Sequence, residues 1–476
     1  TMIMRIMMIK VCSNETKMSW DDIVYVILLL FCIGFGHLYR NISDPIAKQW
    51  ASTLVGFAVA FIAAGTQIIH PIFVTFVNAL IITQISYKKC HIASFGFTFF
   101  YLLGIFRLAD WYGFTMPSGP TNLIQMMLTL KLVGLAFEIN SAATAPEDDP
   151  WGAKSEAFEK IQFLDVFHYG FGYIGLLTGP YYRYRTYWDS IHRPFSKYAD
   201  HWGVTLDKLK GISCFIVIYL FLNYWYPASY MLTDEFMERS LFYRILYIYP
   251  TFHVFKMRIY AGMALSECVC TMAGLGAYPK SSNPVAGLGP KNYQAIDSLS
   301  KNADKLKSED IDFETVHNIN TWGVESCTNV RVAMKMWNTC TQYWMANCVY
   351  RRFPHKGLRT LVTFVLSALW HGYYFGYYNT ICSIVLYLPM DDIYVKFNNH
   401  SEENSLAKKG WSFFGWFMKT FCMCYLGLSF QVLKMADALT LYGTIYFVGH
   451  ILVAVLYVIG RIIKPYILVK PKDKEG

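Results

Sequence analysis

Apolar residues run through this chain in long blocks separated by polar intervals. The blocks fall at 23–39, 51–69, 71–87, 92–106, 123–137, 166–177, 212–226 and 241–265. After a long polar interval they resume at 330–349, 361–388, 411–430 and 441–463. Crossing hydrocarbon takes about 20 helical residues, so the shorter blocks predict tilted, re-entrant or wholly packed segments. Barrel strands would alternate apolar and polar positions, and these blocks do not. With no water to satisfy the backbone, each block must close its own hydrogen bonds, which predicts helices. The expected fold is therefore all-α, a polytopic transmembrane bundle of about eleven helices.

Two polar stretches, 281–320 and 391–409, are expected to be loops outside the membrane. Residues 1–17 read as an amino-terminal extension before Met18, and 18–476 as a single transmembrane domain. The extension has no small-residue cleavage site, so it is not expected to be a removable signal peptide. The blocks contain no internal repeat, which counts against a transporter built from two related halves.

Composition agrees with this pattern. Of 476 residues, 54% are hydrophobic and only 16% charged, against about 25% charged in soluble domains. The net charge of +9 sits mostly at block edges, as at Lys88–Lys89 and Arg351–Arg352. That placement suits an anionic lipid surface and excludes a continuous basic stripe for nucleic acid. The twelve cysteines are scattered, and Cys268 with Cys270 makes only a C-x-C, so no metal or disulfide framework is expected. Asn14, Asn41 and Asn399 fit the glycosylation triplet, which arises often by chance.

The candidate chemistry lies in the polar residues within apolar blocks. His371 stands in a block free of Asp, Glu, Lys and Arg. Ser367 is one turn before it, Gly372 and Gly376 remove bulk after it, and Tyr373, Tyr374, Tyr377 and Tyr378 follow. An intramembrane histidine can be a purely structural hydrogen-bonding group, and His37, His70, His168, His253 and His450 are alternatives. Small residues and hydroxyls around His371 point instead to a substrate cavity. Upstream, a helix across 330–349 would put Asn338 and Gln342 on one face, and an antiparallel pairing would bring Asn338 to the depth of His371. A neutral imidazole can take the proton of an alcohol attacking a thioester or ester, and the Asn amide can position the carbonyl or the hydroxyl and support developing oxyanion charge, or simply staple two helices together. Cys340 is the competing nucleophile, but on such a helix it points about 200° away from Asn338. Arg183 and Arg185 sit among tyrosines, and Arg351, Arg352 and Lys356 follow the Asn338 block. All five suit either interfacial anchoring or an anionic ligand.

The ordered set of stretches resembles the membrane-bound O-acyltransferase family. "WNTCTQYWM" followed by "SALWHG" is similar to its paired Asn and His motifs. "FHYGFGYIGLLTGPYYRYRTYWD", "FKMRIYAGMALSEC", "GLGAYP" and "ETVHNIN" extend the likeness from about Met18 almost to the end. The resemblance implies a helical bundle with a central tunnel in the endoplasmic reticulum membrane. It implies transfer of a polyunsaturated chain, arachidonoyl being the expected one, to the sn-2 hydroxyl of lysophosphatidylinositol in phospholipid remodelling. Acyl-CoA would be the co-substrate, with no permanently bound cofactor. By motif match His371 would be catalytic and Asn338 its partner. The alternatives are another acceptor within the family (a different lysophospholipid, a sterol or a protein) or a proton-coupled transporter. The final "KPKDKEG" is similar to a retrieval signal of that membrane.

Overall fold

A computed structural model describes residues 20–144 and 155–468. The extension 1–17, Asn14 and the carboxyl-terminal lysine pattern lie outside them. The described residues form twenty α-helices. The first seven are α1 (Trp20–Arg40), α2 (Pro45–Ala64), α3 (Ile69–Gln84), α4 (Cys90–Phe100), α5 (Gly119–Thr144), α6 (Phe163–Phe171) and α7 (Tyr184–His192). Then come α8 (His201–Trp225), α9 (Asp234–Glu238), α10 (Leu241–Ala273), α11 (Tyr293–Ser300), α12 (Ala303–Lys307), α13 (Thr321–Ser326) and α14 (Val330–Met336). The chain finishes with α15 (Thr339–Met345), α16 (Arg359–His371), α17 (Phe375–His400), α18 (Leu406–Val432), α19 (Met435–Thr444) and α20 (Val448–Ile467).

The chain divides into two compact units. One takes residues through Phe215, with Ile259–Ile319 and Thr339–Arg352. The other takes Ile216–Arg258, Asn320–Asn338 and the residues from Phe353 onward.

In the first unit α5 is the central element. Most of its length is buried, its apolar run broken by the buried Lys131, Glu138 and Asn140, and α2, α3, α4 and α6 pack on it. The stretch 281–320, expected as a loop, is a folded appendage. Asn292 and Asn302 cap α11 and α12 through their side-chain oxygens, satisfying helix N–H groups that have no internal partner. Tyr278–Pro279 pairs antiparallel with Ile311–Asp312, over a small core of Phe195, Tyr278, Ile296 and Leu306.

The second unit is built on the pair α17 and α18, joined by α16, α20 and α14. Its core runs through Phe252, Tyr387, Tyr394, Phe397, Tyr425 and Tyr442. The backbones approach closely at Gly376, where an added Cβ would lie 2.0 Å from the Ser429 carbonyl oxygen. The Gly376 N–H also donates to the Leu433 carbonyl at 2.9 Å.

Six helical stretches of the described residues are long and apolar enough to cross a membrane: 23–40, 45–84, 90–112, 119–144, 406–432 and 448–467. Three expectations need correction. The block 330–349 is not one helix, because the backbone leaves helical geometry at Trp337 and Asn338. The block 361–388 breaks at Gly372–Tyr374. Residues 391–400 continue α17 instead of forming a loop. Their polarity is used internally: Asp391 accepts from the Val330 and Arg331 N–H groups at 3.1 and 3.4 Å, and Asp392 pairs with Arg331 at 2.8 Å.

Candidate functional site

His371 is the last residue of α16. Gly372 ends the helix at φ 151°, its N–H returning to the Ala368 carbonyl at 3.0 Å. A Cβ there would meet the Tyr377 ring at 2.9 Å, so glycine lets the chain turn directly beneath that ring. The imidazole is half-buried among three aromatic rings. The Trp370, Tyr377 and Phe430 centroids lie 4.9, 5.6 and 5.4 Å away. These rings come from α16, α17 and α18, so the packing of three helices fixes the histidine.

Asn338 occupies the break between α14 and α15 at φ +50°, in the left-handed region that asparagine tolerates better than most residues. It belongs to the same unit as His371. The helix leading into it, α14, packs on α17 and α18, the two helices that also supply rings to His371. Gln342 is exposed on α15 in the other unit, so the shared helical face expected for Asn338 and Gln342 does not exist. The angular argument against Cys340 fails with the same helix. What sets Cys340 aside is burial, with its thiol directed at the Thr315 and His317 carbonyls.

Ser367 lies half-buried on α16, and Tyr374 is exposed at the start of α17. Arg183 and Arg185 are buried with carboxylate partners, Glu138 at 3.2 Å and Asp189 at 3.1 Å. They are internal ion pairs of the first unit, neither snorkelling anchors nor open phosphate sites. Arg352 is tied to Asn140 and Ser141 at 3.2 and 2.8 Å and lies over the Phe137 ring. Arg351 and Lys356 are exposed.

The alternative histidines have their own bonds. His168 meets Thr53 and His70 meets Tyr101, at 2.8 and 2.7 Å, and His450 meets Tyr425 at 2.8 Å. His253 bonds the Tyr249 carbonyl and the Lys256 amine. Outside the spans, the Glu314 carboxylate 3.1 Å from His317 raises the pKa of that imidazole.

Reading the sequence for histidine and amide missed the buried charges. Lys131, fully buried on α5, donates to the Gly170 carbonyl and the Tyr182 hydroxyl at 3.3 and 3.1 Å. Lys256 pairs with Glu325 at 2.7 Å, and Lys419 donates to the Val324 and Glu325 carbonyls at 2.8 and 2.9 Å. The signal was available: a charge inside an apolar block costs free energy and needs a partner. Two hollows among the described residues, one beside Tyr173 and Thr178 and one beside Lys256 and Lys419, hold no more than about 10 Å³ each. Both fall short of the roughly 300 Å³ at which small-molecule sites begin. Neither is lined by His371 or Asn338.

Residues 57–433 match the membrane-bound O-acyltransferase family. A Drosophila melanogaster protein named membrane-bound acylglycerophosphatidylinositol O-acyltransferase frj is 38% identical, over 93% of this chain and 92% of its own. The Xenopus laevis protein of that description, mboat7, is 33% identical over 94% of each chain. The Homo sapiens MBOAT7 is 31% identical, over 91% of this chain and 92% of its own.

Proposed function

The chain belongs to the membrane-bound O-acyltransferase family and is an acyltransferase, and from that premise we propose that it acylates the sn-2 hydroxyl of lysophosphatidylinositol from acyl-CoA. The observation carrying this reading is the near full-length similarity to relatives named acylglycerophosphatidylinositol acyltransferases. A polyunsaturated chain, arachidonoyl foremost, and the endoplasmic reticulum membrane are part of the same proposal.

His371 is the general base. Its imidazole takes the proton of the lipid hydroxyl as that oxygen attacks the thioester carbonyl. The C–O bond forms, the C–S bond breaks, and the leaving thiolate takes the proton as CoA departs. During attack the ring carries positive charge at the carboxyl end of α16, where the helix dipole stabilises it. Trp370, Tyr377 and Phe430 pack around the ring and hold its position, which shortens the search for a reactive geometry. The Asn338 amide is assigned to the thioester oxygen, where it supports the developing negative charge. No acyl-cysteine is needed. The phosphates of CoA cannot enter hydrocarbon, and exposed Lys356, in the unit that carries His371, is the cation we assign to them.

The test uses purified protein in lipid nanodiscs, with thiol release from arachidonoyl-CoA measured against each of several lysophospholipids. Turnover is expected to be highest with lysophosphatidylinositol and absent in His371→Ala. Equal rates with every headgroup would refute the acceptor. Full activity in a well-folded His371→Ala variant would refute the base.

A further inference from the structure

In the second unit, residues 320–336 form a helical hairpin that ends two residues before Asn338. Helices α13 and α14 are its arms, and they pack on each other. The Asn320 N–H closes its mouth by donating to the Met336 carbonyl at 3.0 Å. Asn320 Oδ1 also accepts from the Gly323 N–H at 2.8 Å, so the same residue starts the first arm.

The bend at the other end is held by two charged side chains from the helices behind it. Lys419 of α18 is 2% exposed and donates to the Val324 and Glu325 carbonyls, the last turn of α13, at 2.8 and 2.9 Å. Asp391 of α17 is 7% exposed and accepts from the Val330 and Arg331 N–H groups, the first of α14, at 3.1 and 3.4 Å. Terminal groups of a helix have no partner within it, and here both helix ends at the bend are satisfied by buried ions. Such bonds are costly to break. Between them α18 runs against the bend itself, where an added Cβ at Gly415 would lie 2.3 Å from the Thr328 carbonyl oxygen. The helices that hold the bend are the ones that bring Tyr377 and Phe430 to His371, so hairpin and imidazole share one frame. Asn338, just past the second arm, has a left-handed backbone that persists only where its surroundings over-determine it.

We infer that Asp391 and Lys419 are positioning residues for Asn338: by fixing the bend of the 320–336 hairpin they set the direction from which α14 delivers the Asn338 amide. This rests on the role assigned to Asn338 above. Both side chains bind the end of the hairpin opposite Asn338, so each acts on turnover only through it.

A double-mutant cycle on the purified full chain tests it, with kcat and both KM values as readouts. Asp391→Ala is expected to lower kcat by about tenfold or more with each KM changed less than about twofold. Both backbone bonds use Asp391 Oδ2 alone, so Asp391→Asn, which keeps one accepting oxygen, should recover most of the rate. In an Asn338→Ala background, Asp391→Ala should cost nothing further. A merely destabilised protein would lose active fraction in both backgrounds, and the losses would multiply. Multiplying losses, or an unchanged kcat in Asp391→Ala, would overturn the inference. Full activity in Asn338→Ala alone would overturn the role of Asn338, and the positioning role with it. Should Asp391→Ala fail to fold, Lys419→Met takes its place in the cycle, because it keeps the apolar stem and removes the ammonium. The same loss of kcat is expected there, and an unchanged kcat or multiplying losses would overturn the inference equally.

Discussion

An imidazole at the end of a helix is aimed by whatever packs on it, and at His371 that means three rings from three helices. The residue itself was legible in the sequence, because an ionisable group amid apolar residues needs a reason. Its neighbours were only half legible: Gly372 and Tyr377 were in view, whereas Phe430, 59 positions on, arrives through helix packing that no local pattern encodes. Asn338 was singled out for a reason that fails, since the helix meant to present it is broken at that residue. His317 offers a prediction at this scale. Glu314 raises its pKa in the folded protein, so the pair adds stability below the unfolded value of about 6.5. That stability is lost as pH rises through the folded value. His317→Gln should therefore lower the melting temperature at mildly acidic pH and leave it unchanged in alkaline buffer. The pair is partly exposed, so the effect should stay below about 1 kcal/mol. Equal losses at both pH values would refute the charged pair.

Helices were the easiest elements to anticipate and their interruptions the hardest. Apolar blocks reveal that a helix exists, but hydropathy hardly changes at a break such as Gly372–Tyr374, where apolar and aromatic residues continue. Polarity misled in the other direction at 391–400. Those residues look like a loop because Asp391 and Asp392 are charged, yet the two carboxylates serve the start of α14. The α17–α18 contact gives the prediction at this scale. A methyl group at Gly376 would strike the Ser429 carbonyl at 2.0 Å, and backbone cannot move aside as a side chain can. Gly376→Ala should cost roughly 1–3 kcal/mol, the usual range for overpacking, seen as earlier thermal unfolding in detergent. An unchanged melting temperature would mean that the two helices are not held so closely.

For the molecule as a whole, membrane residence and helical class were legible from 54% hydrophobic residues arranged in blocks. The division into two compact units was not, because α8 and α10 each contribute residues to both and leave no linker to mark the boundary. The acceptor headgroup is a proposal from similarity to relatives, since spacing along a helix carries no information about inositol. Helix α17 has a consequence of a different kind. Near its start Tyr377 braces the histidine ring, and further on Asp391 grips the head of the helix leading to Asn338. Fourteen positions at about 1.5 Å and 100° each separate Tyr377 from Asp391, so α17 works as a measuring rod with a fixed phase. One residue inserted between Tyr377 and Asp391 would twist the two ends out of step by about 100°. Thiol release is expected to be lost in such a variant although no residue named above is replaced, and full turnover would refute the fixed phase.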